Sequence, residues 1–262
     1  MEDLHLLSAA RIESLCPGIR LPRLIILDKT HSTNTLAKEL ARKEAIPEEG
    51  IIIAAEEQTA GRGRLGRSFL SDGRGLYFSY LFRPEIPAKD IVRITTYAAV
   101  AMARAIDSLA DISVGIKWVN DLYLGGKKLA GILTEGSFDT DGELEYAVLG
   151  IGINLYNREL PPELCDIATS LEAECGKKLD KSLLLAKFLK EFSRRDILKK
   201  EIIEEYKARS VVLGHRILIE RANDSFNATA EDIMEDGSLA VILDTGERRR
   251  LFTGEVSIRI LN

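Results

Sequence analysis

The chain has 262 residues, 45% hydrophobic and 29% charged, close to the usage of ordinary globular proteins. Its 36 Lys and Arg against 41 Asp and Glu leave a net charge of −5, which argues against a surface given over to nucleic acid. No apolar run approaches the roughly 18 residues that span a bilayer, and the start, Met1 to His5, lacks the basic-then-apolar order of a signal peptide.

The three cysteines, Cys16, Cys165 and Cys175, are odd in number and widely spaced, which suits neither a disulfide framework nor a zinc site. A cytoplasmic protein with no membrane partner is expected. The Asn-x-Ser/Thr matches at Asn223 and Asn227 therefore carry no argument for glycosylation.

In chain order, residues 1–20 carry a short helical pattern (Leu4, Leu7, Ile12, Leu15) that stops at Pro17-Gly18. Leu24 to Leu27 reads as a buried strand, followed by Ser32, Thr33 and Asn34, which can cap a helix carrying Leu36, Leu40 and Ala41 on one face. Ile51 to Ala55 is a second buried strand, residues 58–75 a loop, and Leu76 to Phe82 a third strand. Residues 88–110 read as a long helix with Ile91, Ile94, Ala98 and Met102 on one stripe.

Strand pieces at 116–118 and 122–124 lead into the turn signal Gly125-Gly126 and a returning strand at 127–133. A glycine-interrupted strand covers 147–155, and residues 181–209 read as helix, in one piece or two. From about Val211 short strands alternate with Asn223-Asp224, Asp236-Gly237 and Thr245-Gly246, the spacing of a small five-stranded barrel. The order of elements lacks βαβ alternation and predicts an α+β fold. Three segments are expected: 1–20 a helical extension, 21–210 the main domain, and 211–262 the small barrel.

Chemistry concentrates in Gln58-Thr59-Ala60-Gly61-Arg62-Gly63-Arg64-Leu65-Gly66-Arg67-Ser68-Phe69. Glycines bring backbone N–H groups close to an anion, and arginines add forked donors. Residues 61–74 hold four Arg and one Asp, a local +3 in an acidic chain. Gly61, Gly63 and Gly66 satisfy the dinucleotide motif G-x-G-x-x-G by letter, but a strand follows where a helix is required. The phosphate-loop motif fails too, because Arg67 stands where it needs Lys. An anionic small-molecule site, a nucleic-acid contact and a plain solvated loop all remain open from these residues alone.

A second cluster, Lys117-Trp118-Val119-Asn120-Asp121 through Lys128-Leu129-Ala130-Gly131, places a hairpin between two strands. Asp121 could hold Mg²⁺ beside a nucleotide, and Gly131 permits close ligand approach. A plain turn with solvated lysines is the competing account. Trp118 reads as core, His5, His31 and His215 as non-ligating, and Arg248-Arg249-Arg250 as a solvated strand face.

Taken in order, Ser32-Thr33-Asn34, the 58–67 loop, Lys117-Trp118-x-Asn120-Asp121, Lys128 to Leu133, Gly150-Ile151-Gly152-Ile153-Asn154 and Gly254 to Arg259 resemble the biotin protein ligase family, in the form without an N-terminal DNA-binding domain. Val119 stands where relatives commonly have Pro, and Phe69 where some relatives have Trp. The resemblance implies a mixed-sheet catalytic domain with an SH3-like barrel. It implies ATP-dependent ligation of biotin, through biotinyl-5′-AMP, to a lysine of biotin carboxyl carrier protein, with Mg²⁺ required. Homodimers are common among relatives, and about 20 residues before the first core strand lead us to expect no DNA binding.

The same resemblance implies roles. Ser32, Thr33, Asn34 and Gln58 form the biotin urea wall, with Gly61, Gly131 and Gly150 beside biotin. Arg62, Gly63 and Arg64 close over the biotin carboxylate and α-phosphate. Lys128 and Arg64 act in catalysis, Arg67 holds the pyrophosphate end, and Phe69, Asn120, Asp121 and Asn154 serve the nucleotide, with Asp121 as the metal ligand. A lipoate–protein ligase and a non-catalytic biotin or nucleotide sensor are the alternatives.

Overall fold

The computed structural model describes residues 6–156, 161–192, 197–220, 224–252 and 257–261. Leu4, His5, Asn223 and 254–256, singled out above, lie outside the described residues.

A seven-stranded mixed sheet forms the frame. Its strands are β1 (Arg23–Thr30), β2 (Ile51–Gln58), β3 (Ser71–Phe82), β4 (Gly115–Lys117), β5 (Asp121–Leu124), β6 (Lys127–Phe138) and β7 (Leu144–Asn154), in the order β1-β2-β3-β7-β6-β5-β4. β1 and β2 pair in parallel and the other neighbours are antiparallel. Ile51 to Ala55 is buried throughout because both sheet faces are covered. Helix α1 (Ala9–Leu15) is capped by Ser8 and tied down by an Arg11–Asp180 ion pair of 2.5 Å. Helix α2 (Thr33–Lys43) packs on β2, β3 and β7, and α3 (Val92–Ala110) on β5 and β6.

α4 (Leu171–Cys175) lies by the β5–β6 turn, where Glu174 approaches Gly125, and α5 (Lys181–Phe192) and α6 (Lys200–Ala208) pack behind α3. The core there is aromatic: Phe188 stacks on Phe192 at 5.3 Å, and Tyr97 and Tyr80 close on Phe192 from other sides. A separate antiparallel sheet follows, with β8 (Arg216–Glu220), β9 (Ser225–Ile233), β10 (Leu239–Leu243), β11 (Arg248–Leu251) and β12 (Ser257–Ile260) in the order β11-β10-β9-β8-β12. Trp118, only 4% exposed, joins the two parts by donating its Nε1–H to Gly237 O at 2.9 Å. Buried Arg93 donates to Glu235 O across the same seam and to Lys199 O at the start of α6.

Several boundaries differ from the sequence reading. β3 begins at Ser71, inside the expected 58–75 loop, because Asp72 and Ser71 pair with Glu57 and Gln58 after a bulge. β6 runs on to Phe138 beyond the expected end at 133, since β7 supplies partners along its length. Residues 88–90 form a 3₁₀ turn before α3. Arg248, Arg249 and Arg250 are exposed as expected, each ion-paired to an acid: Glu231, Glu247 and Asp236.

Candidate active site

A cleft of about 950 Å³ opens over β3, β7, β6 and β5, and every residue nominated from the sequence lines it except Gly61. Gly61 sits under the loop instead. A Cβ there would fall 2.4 Å from Phe69 O, so the absence of a side chain at Gly61 lets the loop close. The loop folds back on itself, with Gly63 N–H donating to Arg67 O at 2.7 Å and Phe69 N–H to Gly61 O at 2.9 Å. The tip is a 3₁₀ turn at Arg64–Gly66, with Leu65 at φ 55°.

One wall is polar. Ser32 caps α2 through its hydroxyl, which accepts from Thr35 N–H, so Ser32, Thr33 and Asn34 are all buried at the helix N-terminus. Thr33 donates its N–H to Gln58 Oε1 at 2.9 Å, and Gln58 Nε2 donates to Ser71 Oγ at 3.0 Å. Asn34 reaches past Gly150, where a Cβ would lie 2.0 Å from Asn34 Oδ1. Fully buried Ser79 stands 2.5 Å from Asn34 Oδ1 and 2.7 Å from Thr33 Oγ1.

The floor is cationic. Lys128 Nζ lies 2.7 Å from Asp121 Oδ1 and passes over Gly131, 3.3 Å from where a Cβ would stand. The backbone of Lys128 is held between Ile167 O and Thr169 N–H. Arg64 donates Nη1–H to Asn120 Oδ1 at 3.1 Å, and Asn120 Nδ2 donates to Ile132 O. Burial pulls the Arg64 guanidinium below its ordinary pKa, Asp121 opposing and Arg67 adding to the fall. Arg62 and Arg67 are exposed at the rim. Phe69 lies over the strands at Gly152, where a Cβ would come within 2.7 Å of its ring, and meets Tyr77 edge-on at 6.2 Å. Asn154, 7% exposed, donates to Thr169 O.

Sequence reasoning gave several cleft residues no role. Lys117 donates to Tyr123 OH at 3.1 Å, and burial lowers its pKa, with Asp121 opposing and Lys128 adding to the fall. Tyr123 is pushed up to about 12 by burial, with Asp121 adding to the rise. Leu164, Asp166, Ile167 and Ala168 form one lip, and Glu220, Ile258 and Arg259 of the second sheet form another. Alternation on β4 and β5 was the available signal for Lys117 and Tyr123.

Among the described residues no group of three His, Cys, Asp or Glu side chains could by itself hold a metal ion. Asp121 fits the other mode, in which Mg²⁺ takes one or two carboxylates and completes its shell with phosphates and water. No helix among the described residues is long and apolar enough to cross a membrane. The arrangement can place an uncharged, hydrogen-bonding ligand against the Thr33–Gln58 wall and two anionic groups against Lys128 and Arg64.

Known proteins match this chain closely. Residues 26–154 match the Biotin/lipoate A/B protein ligase family and residues 212–259 the Biotin protein ligase C terminal domain. The bifunctional ligase/repressor BirA of Bacillus subtilis is 34% identical over 247 residues, 90% of this chain and 74% of that protein. The biotin–[acetyl-CoA-carboxylase] ligase of Mycobacterium tuberculosis is 31% identical over 237 residues, 86% of this chain and 85% of that one. The structure of biotin protein ligase from Aquifex aeolicus in complex with biotin and ATP superposes with a TM-score of 0.77 at 30% identity, covering 91% of this chain and 99% of the other. On the matches to both segments and at this level of identity, the chain belongs to the biotin protein ligase family.

Proposed function

We infer that the chain is a biotin–[acetyl-CoA-carboxylase] ligase that consumes biotin and Mg-ATP. The observation that carries this reading is the joining, in one cleft, of the Thr33–Gln58 hydrogen-bonding wall to the Lys128–Arg64 cationic floor. A biotin carboxylate oxygen attacks the α-phosphorus of ATP, the bond to the β-phosphate breaks, and pyrophosphate leaves. The ε-amine of a carrier lysine then attacks the acyl carbon of the anhydride. An amide forms, AMP leaves with the electron pair, and the amine loses a proton.

Two anions must meet in the first step, and the site's work is to offset their repulsion and hold them in line. Lys128 and Arg64 take the carboxylate and α-phosphate oxygens, with the loop at Arg62 and Gly63 closing above them. Arg67 and Lys117 serve the outer phosphates. Phe69, Asn120 and Asn154 line the nucleotide side. Ser32, Thr33, Asn34 and Gln58 take the urea ring, with Gly131 and Gly150 leaving room for the ligand and for Asn34. Mg²⁺, held by Asp121 and the phosphates, would neutralise charge on the leaving pyrophosphate.

The acceptor is a biotin carrier protein. Residues 21–210 act as the catalytic unit and 211–262 as a small barrel that reaches the cleft, a division supported by the two separate sheets. The free cysteines support a cytoplasmic setting. The net charge of −5 favours no broad DNA contact, and the sheet edge at β1 leaves room for a homodimer. A lipoyl group has no urea, so the polar wall favours biotin over that sister chemistry.

Pyrophosphate release with Mg-ATP tests the reading. Biotin should drive it, lipoate should not, and Lys128→Ala should lower it by about 10²-fold or more. Release with lipoate alone moves the chain to the sister chemistry, and release with neither leaves a binding protein.

A further inference from the structure

Behind the polar wall a hydrogen-bonded chain runs from the protein surface to the cleft. Lys38 Nζ contacts Glu135 Oε1 at 2.5 Å, and Glu135 Oε2 accepts from Asn34 Nδ2 at 2.9 Å. Ser79 Oγ follows, 2.5 Å from Asn34 Oδ1 and 2.7 Å from Thr33 Oγ1. Thr33 Oγ1 is also 3.1 Å from Gln58 Oε1.

Proton counting gives this chain a direction. A carboxylate only accepts, so Glu135 obliges Asn34 to turn its amide NH₂ outward and its carbonyl toward Ser79. Ser79 has one hydrogen, and Asn34 Oδ1 has none to offer, so the Ser79 hydroxyl is committed to Asn34. The 2.7 Å contact with Thr33 then needs the Thr33 hydrogen. Gln58 Oε1, at the longer distance, is already served by Thr33 N–H. Thr33 Oγ1 thereby keeps both lone pairs with its hydrogen turned away from the cleft, whereas the reverse direction would give one lone pair to Ser79 and free the hydrogen to face the cleft.

We propose that Glu135, held by Lys38, is a positioning residue that sets the direction of this chain, so that Thr33 Oγ1 accepts a hydrogen bond from a ligand N–H. This rests on the biotin reading, in which the urea supplies that N–H. Gly150 is part of the device, since any Cβ there would collide with Asn34 Oδ1 and break the chain at its middle.

Glu135→Gln tests the idea with almost no change of shape. Lys38 claims the new amide oxygen, so the amide NH₂ faces Asn34 and reverses every donor down to Thr33. Calorimetric binding without ATP would compare biotin with its two mono-N-methylated urea derivatives. The variant should bind biotin about 10- to 100-fold more weakly. It should lose much less for the derivative that lacks the N–H facing Thr33, so the ratio between the two ligands narrows. Lys38→Met added to Glu135→Gln frees the amide to turn back and should recover most of the loss. Thermal unfolding would confirm that both variants fold.

Unchanged biotin affinity in the single variant overturns the proposal. So does an equal loss for biotin and the methylated derivative, because that marks a merely structural contact. A wild-type chain that fails to bind biotin overturns the ligase reading itself, and this proposal with it.

Discussion

Lys128 Nζ and Asp121 Oδ1 stand 2.7 Å apart across the neighbouring strands β6 and β5, with side chains 33% and 21% exposed. A half-open pair of this kind adds little to stability. Its consequence is placement: a cation for the acyl phosphate and a carboxylate for the metal are aimed into one cleft by adjacent strands. Asp121→Asn separates the two functions. Biotin affinity without ATP should stay within about threefold, while the Mg²⁺ needed for half-maximal pyrophosphate release should rise about tenfold or more. A Mg²⁺ titration that does not move would mean Asp121 serves Lys128 alone.

Phe69 and Gly152 yield a second prediction. The ring edge lies where a Cβ on Gly152 would fall, within 2.7 Å. The obstacle is a half-buried side chain that can swing, so Gly152→Ala should lower stability by about 1–2 kcal/mol. The larger effect should be on ATP, whose KM rises while biotin affinity without ATP holds. Equal loss for both ligands would place Phe69 away from the nucleotide.

Most of the fold and site was legible because the motif residues sit on strands that the sheet order makes neighbours. β2, β3, β7, β6 and β5 are adjacent or nearly so, and carry Gln58, Gly150, Gly152, Asn154, Lys128 and Asp121 to one face. What escaped shares a physical character. Ser79 is a lone serine in the apolar run 76–82, and nothing local says that its partners are 45 and 46 residues away. Glu135 stood two residues past the expected end of its strand, which β7 extends by long-range pairing. The lip at 164–168 has no periodicity, and is fixed by backbone bonds to Lys128.

Lys117 supports a pH prediction. Burial lowers its pKa below the usual 10.5, so its charge is lost as pH rises, earlier than for an exposed lysine. If that charge holds phosphate, kcat/KM for ATP falls on the alkaline side from a point below 10.5. Lys117→Arg keeps a charge at every accessible pH and should move that limb upward. An alkaline limb identical in both proteins would remove Lys117 from phosphate binding.

Outside the cleft lining, Glu205 joins Arg104 and Arg209, which hold α6 to α3 and to Val114 just before β4. Burial opposes its ionisation, but hydrogen bonds from both arginines win and hold its pKa below 4.5. In the unfolded chain the carboxylate returns to its ordinary value. Between the folded and unfolded values the unfolded state therefore binds more protons, and stability rises with pH there. The contribution is complete above about pH 5 and is lost as pH falls through the folded value. Glu205→Gln should cost about 1–3 kcal/mol near neutrality and little at low pH. Urea unfolding at pH 7 and near pH 3 would show the difference between wild type and variant shrinking, whereas a constant difference would assign Glu205 a packing role.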